Sequence, residues 1–434
     1  MVIHLIEFLR ILVESNTEFK YDLGVVGLGY VGLPLAVESA TSSLNVLGFD
    51  INSERVEMIN NGHSPIEDIS NEELSQSLKN FHSTIESKEL SQCRNIVISV
   101  PTPLTDYQPD LSYVINAAKT VGENLVKNQV VILESTTYPG TTVEVLIPNL
   151  EKMSGLKAGE DFFVGYSPER IDPGNEVWKF KNTPKVISGI NNVSTEKIQS
   201  FYESIIDETV LVKGTKEAEM VKLLENTYRH VNIALINELA MLCKMLDIDI
   251  WEVVNAAKTK PFGFESFKPG PGVGGHCIPV DPEYLSFKTR QIGKPVRFVE
   301  LAQEINNSMP LYVVNQVNEI LNKNKIILNS SKILLMGVAY KKDISDMRES
   351  PAIDIAELLL DKDVDISYYD PYVEEFKVSG HIVNREVDTN SFKDYDMLLV
   401  LTPHSNFAQL DLNNLKTIIF DTTGSDFINS TERI

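Results

Sequence analysis

One cysteine of this 434-residue chain, Cys277, lies in GPGVGGHCIPVDPEYL, residues 270–285. Glycine and proline at this density exclude the middle of a helix or a packed strand, so the segment is predicted to be a loop that leaves the thiol accessible. A helix is predicted to start here with Asp281 as its N-cap, and its dipole would favour a thiolate. The other cysteines, Cys93 and Cys243, fall in apolar patterns that indicate structural positions. Cys277 is therefore the candidate nucleophile.

A second chemical pattern is the glycine turn in DLGVVGLGYVGLPLAVESA, residues 22–40. It has the G-x-G-x-x-G spacing, directly after an apolar strand and at the head of a helix. Such a turn lets the backbone approach a pyrophosphate at the positive end of the helix. We expect dinucleotide contacts from Gly27, Gly29, Tyr30, Val31 and Gly32.

Other candidate cofactor contacts follow the ends of later strands. Asp50 ends the second strand, where a carboxylate can accept from a ribose 2′-hydroxyl and repel a 2′-phosphate. This favours NAD over NADP, although the nearby Arg55 leaves NADP open. Thr102 in VPTP and Thr136 in ESTT also follow strand ends, the edge at which such sheets bind ligands.

A long helix is predicted between Glu217 and Leu246, a stretch without glycine or proline. Lys222 and Asn226 are separated by four residues and would lie on one face of it. Taken alone, Lys222 fits a solvated surface position. The polar run that follows it on an otherwise apolar helix favours a substrate site instead, because buried polar groups need partners.

A thiol beside an NAD site points to a particular oxidation. An enzyme that stops at a ketone or aldehyde needs no cysteine, whereas oxidation of an alcohol to a carboxylate passes through an aldehyde. A thiolate can trap that aldehyde as a thiohemiacetal, which loses a second hydride and leaves a thioester for water to cleave. The combination therefore predicts a four-electron oxidation.

Strand patterns recur at the two ends of the chain. KILLMGVAYKKD, VDISYYDPYV, YDMLLVLTPH and TIIFDTTG repeat the order of the first strands, although only the first copy keeps three glycines. Alternating strands and helices predict an α/β fold with two doubly wound Rossmann-like domains joined by a helical domain. We expect the domains at residues 1–212, 213–322 and 323–434.

Composition restricts the partners and the compartment. A net charge of −22 without a basic patch argues against nucleic acid and anionic membranes. Three cysteines, an odd and sparse number without paired spacing, argue against a disulfide framework or a zinc site and favour the cytoplasm. The apolar residues near the start, such as Leu5 and Phe8, predict a short docked helix, because Glu7 and Arg10 interrupt any signal-like run.

Together these motifs resemble the UDP-glucose/GDP-mannose dehydrogenase family over nearly the whole chain. The resemblance is carried by VGLGYVGLPLA, SPERIDPG, KLLENTYRHVNIALINELA, PGPGVGGHCIPVDPEYL and GVAYKKDISDMRESPA, in that order. It is strongest with the branch that acts on UDP-N-acetylglucosamine, followed by the UDP-N-acetylmannosamine branch. It implies an N-terminal NAD domain, a central domain used in a homodimer or higher oligomer, and a C-terminal UDP-sugar domain. A role in making surface glycans such as capsule or O-antigen is expected from the family alone.

The resemblance also implies roles for individual residues. Cys277 would be the nucleophile, Lys222 would stabilise oxyanions with help from Asn226, and Asp281 would act as base or water activator. Glu169 in SPER would assist proton movement and thioester hydrolysis. The remaining implied contacts are Arg348 with the cofactor, and Arg170, Lys268 and Lys341 with the UDP-sugar.

The chain departs from the UDP-glucose members at three positions, with Pro173, His276 and Val280 where they have glutamate, serine and lysine. These changes agree with the acetamido-sugar branch, and we expect Arg229 and His230 to read the 2-acetamido group. The alternatives are the same chemistry on UDP-N-acetylmannosamine, UDP-N-acetylgalactosamine or UDP-glucose, a two-electron β-hydroxyacid-type dehydrogenase, and a cofactor-binding protein without catalysis.

Overall fold

The computed structural model describes residues 19–105, 108–171, 175, 177–275, 278–412 and 415–434. The short helix predicted near the start and the predicted nucleophile Cys277, with His276 and Pro173, lie outside these residues. The chain divides into two compact units, residues 1–223 and 224–434. The three-domain division predicted from the sequence remains a prediction.

The first unit contains an eight-stranded sheet with the strand order β10-β9-β8-β7-β4-β1-β2-β3. Adjacent strands are parallel except β8 and β9. The strands of this unit, including a separate β5–β6 pair, are β1 Tyr21–Val26, β2 Val46–Phe49, β3 Phe81–Thr84, β4 Cys93–Ile98, β5 Leu104–Thr105, β6 Gln108–Pro109, β7 Val130–Leu133, β8 Phe163–Tyr166, β9 Lys185–Gly189 and β10 Thr209–Leu211. Its helices are α1 Gly32–Thr41, α2 Ser53–Asn60, α3 Asn71–Ser77, α4 Ser112–Asn124, α5 Ile147–Ser154 and α6 Asn192–Tyr202.

The next helix, α7, covers Thr215–Met245, and the division between the units falls inside it. Its 31 residues agree with the helix predicted over 217–246 and correspond to about 45 Å. The second unit continues with α8 Ile250–Ala257, α9 Asp281–Gln291, α10 Arg297–Lys323 and α11 Pro351–Leu360.

A six-stranded sheet completes the second unit, with the order β15-β12-β11-β16-β17-β18 and parallel pairing throughout. Its strands, together with a β13–β14 pair, are β11 Lys332–Met336, β12 Asp365–Tyr369, β13 Lys377–Val378, β14 His381–Ile382, β15 Asn384–Arg385, β16 Met397–Val400, β17 Ile418–Asp421 and β18 Glu432–Arg433. One core joins the central helices to this sheet, because Ile236, Trp251 and Val313 share a cluster with Ile333 and Ile355.

The internal repeat predicted from the sequence is confirmed by the strand order. The first sheet contains β7-β4-β1-β2 and the second contains β17-β16-β11-β12, so the four matched strands are arranged in the same order. In each sheet the turn after the first strand and the end of the second strand lie at one edge, since parallel strands all end on the same side. This confirms the α/β class with two doubly wound sheets and places the candidate ligand positions at those edges.

Candidate functional site

The glycines in the turn between β1 and α1 are needed for different reasons: the fold requires two of them, and the third leaves space for a ligand. Gly27 has φ +94°, and a Cβ there would lie 2.7 Å from the Ser99 carbonyl oxygen. A Cβ on Gly32 would lie 1.9 Å from the Gly27 carbonyl oxygen. A Cβ on Gly29, by contrast, would meet no atom of the described residues within 4 Å. The fold therefore leaves space above Gly29, and this space suits a pyrophosphate that approaches the backbone.

Asp50 follows β2 and is buried beneath this turn. Its carboxylate accepts hydrogen bonds from the backbone N–H of Leu28 at 2.8 Å and of Asn52 at 2.9 Å. Arg55 donates to the same carboxylate at 3.0 Å. Arg55 is thus paired with Asp50, and the carboxylate lies at the predicted ribose position. This arrangement agrees with NAD as the cofactor.

The other predicted contacts of this edge lie around the same turn. Tyr30 is exposed, and Val31 takes the N-cap position of α1. Thr102 is buried beyond the end of β4, and Thr136 is half-buried beyond β7. The neighbouring Thr137 was not predicted, yet its hydroxyl is fully buried and has no hydrogen-bond partner among the described residues. The sequence signal was present, since Thr137 also follows the strand in ESTT.

Glu169 follows β8 and belongs to a buried cluster of charges. Lys185 of β9 contacts its Oε2 at 2.8 Å and the Glu134 Oε1 at 2.9 Å. Burial disfavours the Glu169 carboxylate, but Lys185, the backbone N–H of Ile171 and Lys222 outweigh it and hold its pKa below the usual range. Glu169 is therefore an ionised, oriented carboxylate, suited to accept a proton.

Lys222 is nine-tenths buried in the first part of α7, so it is not the solvated surface lysine that its spacing alone would allow. One turn earlier Glu219 is fully buried, and its carboxylate accepts from the N–H groups of Gly140 at 2.5 Å and Thr142 at 2.8 Å. Burial outweighs these hydrogen bonds and raises the pKa of Glu219. This unpredicted residue ties α7 to the loop that follows Thr136 and Thr137.

In the second unit Asn226 donates a short hydrogen bond to Asp281, and both side chains are buried. The predicted N-cap role of Asp281 is off by one residue, because α9 begins at Asp281 and Val280 holds the N-cap position. The two residues are 55 positions apart in the chain, and the structure brings them into contact, whereas the sequence had grouped Asn226 with Lys222.

The glycines before Cys277 have a structural role that the sequence did not indicate. A Cβ on Gly274 would lie 2.7 Å from the Glu349 carbonyl oxygen, and one on Gly275 would lie 2.6 Å from the Tyr340 ring. The Gly275 N–H also donates to the Arg348 carbonyl at 3.0 Å. The loop is therefore glycine-rich because residues 340–351 pack directly against it, and not simply to leave a thiol uncrowded.

The other predicted ligand contacts differ in exposure and in their protein partners. Arg348 pairs with Asp346 at 2.6 Å, and Lys341 is half-buried in the same segment. Lys268 and Arg229 are exposed. Arg170 donates to the Pro184 carbonyl at 2.6 Å.

His230 is fully buried and lies beside Asn306, whose Nδ2 is 3.4 Å from its Nδ1. Burial lowers the pKa of His230 to about 4, so the ring is neutral at pH 7. A sugar could contact it only if the ring became accessible, and its predicted role stays a prediction.

The second sheet has its own buried carboxylate at the matching position, which the sequence did not single out. Asp370 follows β12 and accepts from the N–H of Val338 at 2.7 Å, as Asp50 does from Leu28. His404 lies 3.0 Å from the same oxygen and is also fully buried. Burial opposes ionisation, but His404 and the backbone donors outweigh it and hold the pKa of Asp370 low. Protein groups thus surround this carboxylate, so the repeated fold does not repeat the first site.

These features define a class. A doubly wound sheet with an open glycine turn, a carboxylate after its second strand and a buried ionised glutamate is typical of NAD-dependent dehydrogenases.

Comparison with known proteins identifies the group within that class. The chain matches three models of the UDP-glucose/GDP-mannose dehydrogenase family: the NAD binding domain over residues 21–206, the central domain over 216–308 and the UDP binding domain over 334–428. The chain belongs to this family, and it is an NAD-dependent oxidoreductase of the nucleotide-sugar dehydrogenase type.

Three relatives show the extent of the similarity. The chain is 38% identical over 398 residues to UDP-N-acetyl-D-glucosamine 6-dehydrogenase of Pseudomonas aeruginosa, covering 91% of this chain and 93% of that protein. It is 37% identical over 399 residues to the Salmonella typhi protein of the same name, with 92% and 93% covered. The solved UDP-D-ManNAc dehydrogenase of Pyrococcus horikoshii superposes with a TM-score of 0.85 at 33% identity and covers 94% of this chain and 96% of its own. Within the described residues, no helix has the length and apolar character needed to cross a membrane.

Proposed function

We propose that the protein oxidises the C6 hydroxyl of UDP-N-acetylglucosamine to the uronate in two NAD-dependent steps. The buried Asn226–Asp281 pair carries this proposal, because Asp281 is four residues beyond Cys277 in the chain and proton transfer near that thiol explains why two polar side chains are buried together. The two UDP-N-acetyl-D-glucosamine 6-dehydrogenases among the relatives support the choice of sugar. The mannosamine relative supports the C2 epimer as the second candidate.

The proposed roles follow from the charges of the side chains. Bound at the glycine turn and Asp50, NAD would supply the hydride acceptor for both oxidations at C6. Glu169, held ionised by Lys185, accepts a proton, and the buried Lys222 ammonium stabilises the oxyanion that forms at C6. Asn226 fixes Asp281 by its hydrogen bond, and Asp281 activates water.

Cys277 forms the carbon–sulfur bond to the aldehyde, and the thioester is cleaved when water supplies the second carboxylate oxygen. Two cofactors are reduced for each sugar. The number of cofactors reduced per sugar distinguishes the proposal from a two-electron β-hydroxyacid-type reaction. The match of residues 334–428 to a UDP binding domain also disfavours that reaction.

The test is the amount of NADH formed per sugar, measured with limiting UDP-N-acetylglucosamine and excess NAD. We expect two NADH per sugar for the wild type and a block before thioester cleavage for Cys277→Ser, with Cys243→Ser as the matched control. One NADH per sugar would contradict the four-electron mechanism. Turnover only with a C2 or C4 epimer would change the sugar and keep the chemistry. NAD binding without turnover of any of these sugars would instead support the non-catalytic alternative.

A homodimer is also part of the proposal. On α7 an apolar stripe is exposed at spacings of three, four and seven residues, and its members are Leu224, Tyr228, Leu235, Leu239 and Leu242. Contiguous exposed apolar surface on a helix is typical of an interface, and a second copy of the same stripe provides a matching apolar surface. The cytoplasm is the compartment we propose, on the basis of the sparse cysteines.

A further inference from the structure

Lys185 is buried between two carboxylates in the first unit. Its ammonium lies 2.9 Å from Glu134 Oε1 and 2.8 Å from Glu169 Oε2, and its side chain is 4% exposed. The three side chains come from β9, the residue after β7 and the loop after β8, so regular strands fix their spacing. A buried lysine at this position is costly unless it is paired, and this one has two partners.

The three groups cannot all be charged at low cost. Two carboxylates against one ammonium leave an excess negative charge away from water, and Lys222 offsets it only on the Glu169 side. Burial is the largest influence on Glu134 and raises its pKa, with repulsion from Glu169 adding to the shift, whereas Lys185 and Lys222 lower the pKa of Glu169. Lys185 opposes the rise at Glu134 without cancelling it, so the pKa values of the two carboxyls are shifted in opposite directions, and Glu134 is the carboxyl whose protonation burial favours.

The hydrogen bonds around Glu134 leave one of its two oxygens without a partner. Its Oε1 accepts from the Tyr202 hydroxyl at 2.5 Å and from Lys185, but its buried Oε2 has no partner among the described residues. An unpartnered oxygen is far less costly on a neutral carboxyl than on a carboxylate. Burial and Glu134 raise the pKa of Tyr202, so its hydroxyl remains a donor.

We propose that Lys185 is a positioning residue that keeps Glu169 ionised and aimed, and that Glu134 holds the proton that this arrangement displaces. The first half rests on the proposed function, in which Glu169 exchanges protons with the reacting group. The second half concerns the protonation of Glu134 and can be observed without turnover. A cluster that only stabilised the fold would change the unfolding free energy of the variants and leave their pH profiles in place.

The kinetic test compares pH profiles of kcat and kcat/KM for the wild type, Lys185→Met, Lys185→Arg and Glu134→Gln. The acid limb follows protonation of Glu169, so loss of the cation in Lys185→Met is expected to move it to higher pH by about one to three units. Lys185→Arg keeps the positive charge, so its acid limb should lie at the same pH as that of the wild type. Glu134→Gln resembles protonated Glu134 and should leave the limb unchanged. A shift of the acid limb to lower pH in Glu134→Gln would show that Glu134 is charged in the wild type, and it would overturn the storage role.

Lys127→Met is the matched control, because Lys127 pairs with Asp161 at 2.9 Å in the same unit but is exposed. Its profile should equal that of the wild type. NAD binding and thermal unfolding show which variants fold; if Lys185→Met does not, Lys185→Gln replaces it as the variant without the cation. Turnover with the wild-type acid limb in the folded variant that lacks the cation would overturn the positioning role alone.

The spectroscopic test is independent of turnover. At pH 7, where exposed carboxyls are ionised, infrared spectra of the wild type should contain a protonated-carboxyl C=O band that is absent from Glu134→Gln. The absence of this band in the wild type would overturn the storage role. If the wild type oxidises no UDP-sugar but the band is present, the proposed function and the positioning role fail while the proton assignment stands.

Discussion

The open position above Gly29 is the residue-scale feature most directly tied to the cofactor. Gly27 and Gly32 are glycines because their own surroundings exclude a Cβ, whereas Gly29 has no such neighbour among the described residues. Selection for glycine there is explained by a ligand that approaches the backbone. The same reasoning distinguishes a fold defect from a binding defect at neighbouring positions.

We therefore expect Gly29→Ala to fold normally and to bind NAD at least about tenfold more weakly, because the new methyl occupies the pyrophosphate position. Gly27→Ala, with φ +94° and a contact at 2.7 Å, should lower the unfolding free energy by about 1–3 kcal/mol. Isothermal titration and urea denaturation measure both effects. Unchanged NAD affinity in Gly29→Ala would contradict the interpretation of the turn.

His230 provides a test of burial at the residue scale. Its pKa is about 4 in the folded chain and 6.5 when exposed, so the unfolded state binds more protons between these values. The contribution of His230 to stability is therefore complete above pH 6.5 and is lost as pH falls toward 4, by on the order of 3 kcal/mol. Urea denaturation from pH 7 to pH 4 should show this slope in the wild type.

The slope should be smaller in His230→Gln, which cannot take up the proton. His381→Gln, which alters an exposed histidine of the same unit, is the control and should keep the wild-type slope. Equal slopes in the wild type and His230→Gln would mean that the ring is accessible to protons in the folded state, and would make its predicted sugar contact easier to accept.

At the scale of elements, the contact between residues 272–275 and residues 340–351 joins the predicted cysteine loop to the segment that follows β11. Gly275 has φ +90° and faces the Tyr340 ring, so it is constrained both by its backbone and by its neighbour. Gly293 has φ +67° and no atom of the described residues within 4 Å of an added Cβ. Both positions have a positive φ, but only Gly275 has a close neighbour that an added Cβ would meet.

We expect Gly275→Ala to lower the unfolding free energy by about 2–4 kcal/mol and Gly293→Ala by about 1 kcal/mol, because only the first adds a steric clash to the backbone strain. Replacing Tyr340 with Ala in the Gly275→Ala background should recover part of the difference. Chemical denaturation of the four proteins gives the coupling energy. A coupling of zero would show that the ring moves away freely.

The sequence predicted those elements whose local pattern decides their structure. The helix over 217–246 was found within two residues because no glycine or proline interrupts it, and the repeated strands were found because each is a short apolar run. It could not predict that Lys185 joins Glu134 to Glu169, since the three lie on separate strands or loops and nothing in PKVISG marks a buried charge. The burial of His230 was likewise hidden, because Asn306 approaches it from a helix 76 residues away.

At the scale of the whole molecule, the exposed stripe of α7 determines the expected assembly. Leu235→Glu with Leu239→Glu should convert a dimer to a monomer, because two carboxylates would face an apolar surface. Sedimentation velocity measures the mass of the double variant. Val387→Glu adds a charge at another exposed apolar position of the same unit and should leave the dimer intact. A monomeric wild type, or a double variant that stays dimeric, would contradict the assignment of the stripe.

The contact of the glycine loop with residues 340–351 has a consequence for synthesis in the cell. Residues 270–275 leave the ribosome before their packing partners Tyr340, Glu349 and Pro351 have been translated. The loop that precedes Cys277 can therefore take its final form only after the first strand of the C-terminal sheet has emerged. A nascent chain stopped before that point would carry a complete dinucleotide sheet, so translation order delays completion of the loop until the UDP domain begins to fold.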